Sequence, residues 1–265
     1  MSGEIQVTRE GGEGDRVATV ALSNPEKLNA LTVAMWRELA VVMQQLSAEN
    51  DLRCVVLRGA GTAAFAAGAD IAEFATARNT VAQGKVYHRE LVYGALRAVG
   101  ECRHPTVAMI HGACAGGGLE LACQCDLRIA GHSARFGVPI NRLGFAIAWD
   151  ELNALLPLVG RAVALEILVE GRVWNADEAQ AKGLLTRLVP DADLANETAA
   201  TVQRIAAGAP LVARWHKQFI RRLTPLPAPL SDAEIDANFD YFNTEDYRIG
   251  YDAFMSKNKP RFVGR

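Results

Sequence analysis

The chain has 265 residues, half of them apolar and 22% charged, which is enough to bury a sizeable core and too apolar for global disorder. A formal charge of −2 with a pI near 6.2 argues against a broad nucleic-acid footprint, so nucleic acid is not an expected partner. The opening Met1-Ser2-Gly3-Glu4 lacks a basic region followed by an apolar one, and no uninterrupted apolar run approaches the roughly 20 residues of a membrane helix. A cytoplasmic protein with no membrane segment is expected. The five cysteines (Cys54, Cys102, Cys114, Cys123 and Cys125) are odd in number and lie in apolar surroundings, as buried free thiols do. Cys123-x-Cys125 has the wrong spacing for a zinc knuckle and no nearby His, so no metal site is expected.

Along the chain, Val17 to Leu22 reads as a strand, with Asn24-Pro25 marking the turn after it. Thr32 caps a helix whose apolar residues Met35, Trp36, Leu39, Val42, Met43 and Leu46 recur at helical spacing. Cys54 to Leu57 is a short buried strand ended by Gly59 and Gly61, and a second helix covers about Thr80 to Val99. Thr106 to Ile110 is another apolar strand and runs into the glycine cluster Gly112 to Gly118. Helix signals follow at Leu119–Cys123 and a strand at Leu127–Ala130. The alternation implies an α/β fold with helices over a largely parallel sheet.

From Asn175 onward the pattern is helical apart from a strand at Leu184–Val189, with breaks at Pro210 and in the run Thr224-Pro225-Leu226-Pro227-Ala228-Pro229. Ser231-x-x-Glu234 is a capping box opening a helix in the tail. Residues 1–205 are read as the catalytic core and 206–265 as a helical region packed on another subunit.

Two segments carry the chemistry. In Phe65-Ala66-Ala67-Gly68-Ala69-Asp70-Ile71, directly after a strand, small residues leave backbone N–H groups open to a ligand. In His111-Gly112-Ala113-Cys114-Ala115-Gly116-Gly117-Gly118-Leu119-Glu120, three glycines at a helix start expose N–H donors where the dipole is positive. That arrangement suits an oxyanion or a phosphate. The spacing matches neither a phosphate-binding P-loop nor the dinucleotide fingerprint.

The two segments together, about 45 residues apart, resemble the enoyl-coenzyme A hydratase/isomerase (crotonase) superfamily. Asn24 to Leu31, His104 to Ile110, Cys125 to Ala130, Gly171-Arg172 through Gly183-Leu184 and Lys259-Pro260-Arg261-Phe262 are similar to the family as well. The resemblance implies a crotonase-like spiral of repeated ββα units with a C-terminal helical oligomerisation region, assembled as trimers or dimers of trimers. It implies an acyl-CoA substrate with no separate cofactor, and a thioester carbonyl held by the N–H groups of Ala69 and Gly117. Glu120 would be the acid/base. Ala66, Asp70 and Ile71 would line the coenzyme A channel, with Lys27 as a partner for its phosphates.

The sequence also departs from the family. The second glutamate of the family's hydratases falls at the residue after Pro139, which here is Ile140, and an isoleucine transfers no proton. Ala148 stands where some members carry an aspartate. Asp150 and Glu151 bring carboxylates into the same region, either as substitutes for the missing group or as the acidic first turn of a helix running to about Val159.

Trp149 and His111 read as structural residues. The basic group Arg214, His216, Lys217, Arg221 and Arg222 reads as solvated surface, with phosphate or RNA contact as alternatives. The expected function is that of an enoyl-CoA hydratase/isomerase acting through a stabilised enolate. A single-base isomerase and an acyl-CoA- or RNA-binding protein with weak catalysis are the alternatives.

Overall fold

The computed structural model describes residues 3–12, 16–224 and 231–263; the proline-rich run after Thr224 lies outside them. An antiparallel hairpin, β1 (Glu4–Glu10) and β2 (Arg16–Ser23), leads to α1 (Val33–Ala48), whose first turn is capped by Thr32 accepting from Met35 N. Strand β3 (Leu52–Gly59) then pairs parallel to β2, and the short β4 (Ala64–Ala66) leaves it for a second sheet. Three helical pieces follow: α2 (Phe74–Ala77), α3 (Val81–Val86) and α4 (Tyr93–Glu101). A π-helical stretch, Tyr87–Val92, joins the last two.

The same step is taken twice more. Strand β5 (Thr106–Ile110) lies in the large sheet and β6 (Ala113–Ala115) in the small one, followed by α5 (Gly117–Gln124). Strands β7 (Leu127–Gly131) and β8 (Arg135–Gly137) repeat it and lead to α6 (Trp149–Glu170). Strand β9 (Val173–Asn175), α7 (Ala176–Ala181), β10 (Arg187–Val189) and α8 (Leu194–Ala206) complete the body. The large sheet has the order β1-β2-β3-β5-β7-β10 and the small one β4-β6-β8-β9, so each of the three steps β3–β4, β5–β6 and β7–β8 contributes one strand to each sheet. This is the expected spiral.

Alternation along β3 explains the layering. Val55 and Leu57 enter the central core with Trp36 and Leu39 of α1, while Cys54 and Val56 face Leu194 and Val202 of α8. All five cysteines are buried and free. Strand β1, which is largely exposed and polar, and the three-residue strands of the small sheet are absent from the sequence reading, because neither carries enough apolar periodicity to signal a strand. Helix α6 has the length and composition of a membrane span, yet Gly160 (φ 74°, ψ 169°) breaks it, just past the end expected near Val159.

The C-terminal third comprises α9 (Pro210–Leu223), α10 (Asp232–Ala237) and α11 (Glu245–Met255). Basic side chains of α9 fasten it to backbone oxygens at the ends of other elements. Arg214 Nη2 donates to Asn50 O (2.7 Å), Lys217 Nζ to His104 O (3.1 Å) and Arg221 Nη1 to Gly100 O (2.9 Å). Lys217 also pairs with Asp126 at 2.7 Å. These three cations are anchors rather than the solvated face expected of them, because free carbonyls at helix and strand ends need donors.

Within the single chain, residues 231–263 pack on the body. Phe239, Phe242 and Tyr247 form a buried cluster, and Lys85 pairs with Asp236. Trp149 Nε1 donates to Glu234 O (3.1 Å), and Asn238 bridges Trp149 N and Ile147 O. Gly84 lets α3 lie directly against the Phe242 ring, where a Cβ would intrude. Gly84→Ala is therefore expected to cost about 1–3 kcal/mol through overpacking, read as a lower Tm. An unchanged Tm would show that this contact does not hold the segment.

Candidate active site

The first loop is built by a single parallel bridge. Leu31 N donates to Gly68 O (2.7 Å) and Asp70 N donates to Leu31 O (2.8 Å). The intervening Ala69 N–H is thereby turned to the opposite side, where no described protein group accepts it. The second loop enters through Gly116 at φ 47°, ψ −125°, a conformation closed to side-chain-bearing residues. Gly116 N is held by Gly137 O (2.9 Å), and the next residue, Gly117, begins α5 with its own N–H unbonded among the described residues. The loops pack closely enough that a Cβ on Gly68 (φ 106°) would lie 3.1 Å from Ala115 O. A Cβ on Gly117 would meet the Trp36 ring at 2.7 Å, so the glycine is required by the side chain behind it.

Both loops border an apolar cavity of about 110 Å³, lined among others by Ala69, Gly117, Glu120, Ile140, Glu151 and Arg78. Glu120 lies one turn into α5, buried, with no hydrogen-bond partner for its carboxylate among the described residues. Burial, and then the charge of Glu151, push its pKa well above the usual 4.5.

Glu151 has the opposite environment. Burial would raise its pKa too, but His88 Nδ1, paired with Oε1 at 2.5 Å, outweighs it together with the Ala148 N–H on Oε2 (3.2 Å) and the charge of Arg78. Its carboxyl is held below the ordinary value. His88 sits on the π-helical stretch, a device frequent at functional sites.

Of the residues singled out from sequence, Ala69, Gly117, Glu120, Ile71, Ile140 and Glu151 meet at this cavity. Ile140 lies where the missing second glutamate was expected to matter. Asp150 does not line the cavity; it is half-buried, with its pKa raised by burial despite the nearby Arg89. Glu151 both caps α6 and lines the cavity wall.

Lys27, Ala66 and Asp70 lie outside this cavity. Lys27 Nζ binds Asp70 Oδ2 (2.6 Å), and Asp70 Oδ1 accepts from Ala72 N (3.2 Å), so this carboxylate caps a turn and tethers a lysine. Ala66 is packed beneath Gly118 of α5. His111 is buried outside the cavity, and Trp149 is half-exposed against residues 234 and 238. Sequence reasoning missed His88 and Arg78. Neither has a motif: Arg78 follows the end of α2 and His88 lies on the π-helical stretch, and their partners Tyr241 and Glu151 are distant in sequence.

The family model for enoyl-CoA hydratase/isomerase matches residues 12–265, and the chain belongs to that family. It is 34% identical over 253 residues to a probable enoyl-CoA hydratase of Mycobacterium bovis, covering 94% of this chain and 95% of that one. Among solved structures it is similar to one described as an enoyl-CoA hydratase/"carnithine racemase" from Magnetospirillum magneticum. That likeness has 49% identity and a TM-score of 0.80, over 98% of this chain and 96% of the other. A methylmalonyl-CoA decarboxylase complexed with 2S-carboxypropyl-CoA superposes with a TM-score of 0.87 at 26% identity, over 98% of each chain.

The raised pKa of Glu120 has a consequence for stability. A carboxyl whose folded pKa exceeds its unfolded value stabilises the fold below the unfolded pKa and loses that contribution as pH rises through the folded one. Glu120→Gln should therefore have a higher Tm than wild type in alkaline buffer, the gap closing as pH falls toward 4.5. Melting curves across pH test this; a gap independent of pH would mean that Glu120 does not titrate as a buried, unpartnered acid.

Proposed function

We propose that the protein is an acyl-CoA enzyme of hydratase/isomerase type in which Glu120 moves a proton on an enolate whose oxygen sits between the N–H groups of Ala69 and Gly117. The observation that carries this reading is the convergence of two unbonded backbone donors and one unbonded, buried carboxyl on a single cavity. Negative charge developing on a thioester oxygen would find preorganised donors there, each typically worth about 3 kcal/mol of barrier.

The pair Glu120 and Glu151, pushed apart in pKa, supports a division of labour. In hydration of a 2-enoyl thioester, the ionised Glu151 would take a proton from water as its oxygen bonds to C3. The electron pair of the double bond would pass to the carbonyl oxygen, and Glu120 would protonate C2. Proton exchange with solvent would then restore both acids. A second reading, a single-base isomerase shuttling one proton between C2 and C4 on Glu120, is favoured by Ile140. That apolar wall stands where the family's hydratases carry their second glutamate.

The assembly is proposed to be a trimer or a dimer of trimers. Leu211, Trp215, Phe219, Ile220 and Leu223 leave an apolar stripe on α9 exposed in the single chain. A monomer in sedimentation velocity would remove this proposal.

Glu120→Gln is expected to lower turnover of crotonyl-CoA at least a hundredfold, as general acid–base groups contribute about 10²–10⁴-fold, while CoA-ester affinity stays near wild type. Undiminished turnover would refute the assignment of Glu120. Glu151→Gln separates the two readings. As a hydratase the variant loses hydration but keeps 3-enoyl to 2-enoyl isomerisation; as an isomerase, it keeps its activity. Because the charge of Glu151 raises the pKa of Glu120, the acidic limb of the remaining isomerase pH profile should shift to lower pH in this variant. An unshifted limb would mean the two carboxyls are not coupled.

A further inference from the structure

Arg78 is one of the most buried residues in the protein, 1% exposed, and it lines the same cavity as Glu120. Its guanidinium carbon sits 4.2 Å from the ring centres of both Phe74 and Phe145, so aromatic faces cover it on two sides. Nη2 donates to Tyr241 Oη (3.2 Å), while the buried Nε has no partner among the described residues. No described carboxylate lies within ion-pair distance. Glu151, which feels its charge, has both oxygens engaged by His88 and Ala148 N.

A guanidinium does not shed its proton, so a buried one without a counter-ion is costly to keep. Cation–π contacts satisfy its faces but not its edge, and the edge is the part that binds a carboxylate through two parallel N–H bonds. At roughly 10–15 Å³ per water-sized group, the cavity holds roughly seven to eleven heavy atoms, the size of a short acyl group with a polar end.

We propose that Arg78 receives a carboxylate at the far end of the acyl chain, so that the substrate is a short carboxyl-terminated acyl-CoA. This rests on the acyl-CoA reading above and adds the end group to it. The same geometry disfavours an acyl chain ending in a quaternary ammonium. The aromatic box of Phe74, Tyr87, Phe145, Tyr241 and Phe242 that would suit such a cation already holds Arg78. The rival account is that Arg78 only fastens residues 231–263 to the body through Tyr241.

Three saturated esters sharing a four-carbon chain decide between them without requiring turnover: butyryl-CoA, glutaryl-CoA and 4-(trimethylammonio)butyryl-CoA. Calorimetric titration of the full-length protein should give glutaryl-CoA the tightest binding, at least tenfold over butyryl-CoA, with the ammonium ester weakest. Arg78→Met should weaken glutaryl-CoA by a much larger factor than butyryl-CoA, and Arg78→Lys should restore part of the difference.

Equal or tighter binding of butyryl-CoA by wild type would overturn the inference while leaving the acyl-CoA reading in place. So would an Arg78→Met variant weakened equally toward both esters, the signature of the fastening role. Failure of wild type to bind any of the three would overturn the acyl-CoA reading and this inference with it. Should Arg78→Met not fold, the wild-type ranking and Arg78→Lys still decide.

Discussion

The site depends on how closely two small-residue loops approach each other. Gly68 and Ala115–Gly116 meet so closely that a Cβ on Gly68 would lie 3.1 Å from Ala115 O, and beside this contact the N–H groups of Ala69 and Gly117 have no acceptor among the described residues. Backbone donors left free beside an apolar cavity are costly unless a ligand completes them. The spiral makes the contact possible. β4 and β6 are neighbours in the small sheet, paired in parallel, so the segments following them emerge at the same end. Trp36, carried by α1 from the other side, then limits residue 117 to glycine.

Around that contact the protein places charge unevenly. Glu120 is desolvated and unpartnered, whereas Glu151 is desolvated but bonded twice, so burial raises one acid while His88 holds the other down. Differences of this kind let two identical side chains take different roles in one cavity. Ile140 makes the arrangement unlike one built on two glutamates about 20 residues apart. A second carboxylate still reaches the cavity, but from the first turn of α6, where it also caps the helix.

The C-terminal segment gives the cavity its character. Phe145 of the body and Tyr241 and Phe242 of the tail surround Arg78, which is held by residues 163 positions apart in sequence. The aromatic surround of Arg78 is thus completed by the last part of the chain. A buried cation there is an expensive feature for a site that handles purely hydrocarbon chains.

The repeated units were implied by the chain's resemblance to the crotonase superfamily, while the sequence by itself determined the α/β class, the two loops and the position of Glu120 beside them. These follow from local signals: apolar periodicity, glycine clusters next to strands, and a glutamate at a fixed distance from them. The resemblance also implied Ile140 at the cavity, and the sequence brought two carboxylates, Asp150 and Glu151, into the same region. Tertiary structure alone turned Glu151 rather than Asp150 toward the cavity, because adjacent helical residues face about 100° apart and only packing decides which one turns inward. It alone brought in His88 and Arg78, and it turned Lys27 and Asp70 into partners of each other. Those outcomes depend on pairings such as Lys27 with Asp70, Arg78 with Tyr241 and His88 with Glu151, each between residues more than 40 apart in sequence. No local periodicity encodes a contact of that range.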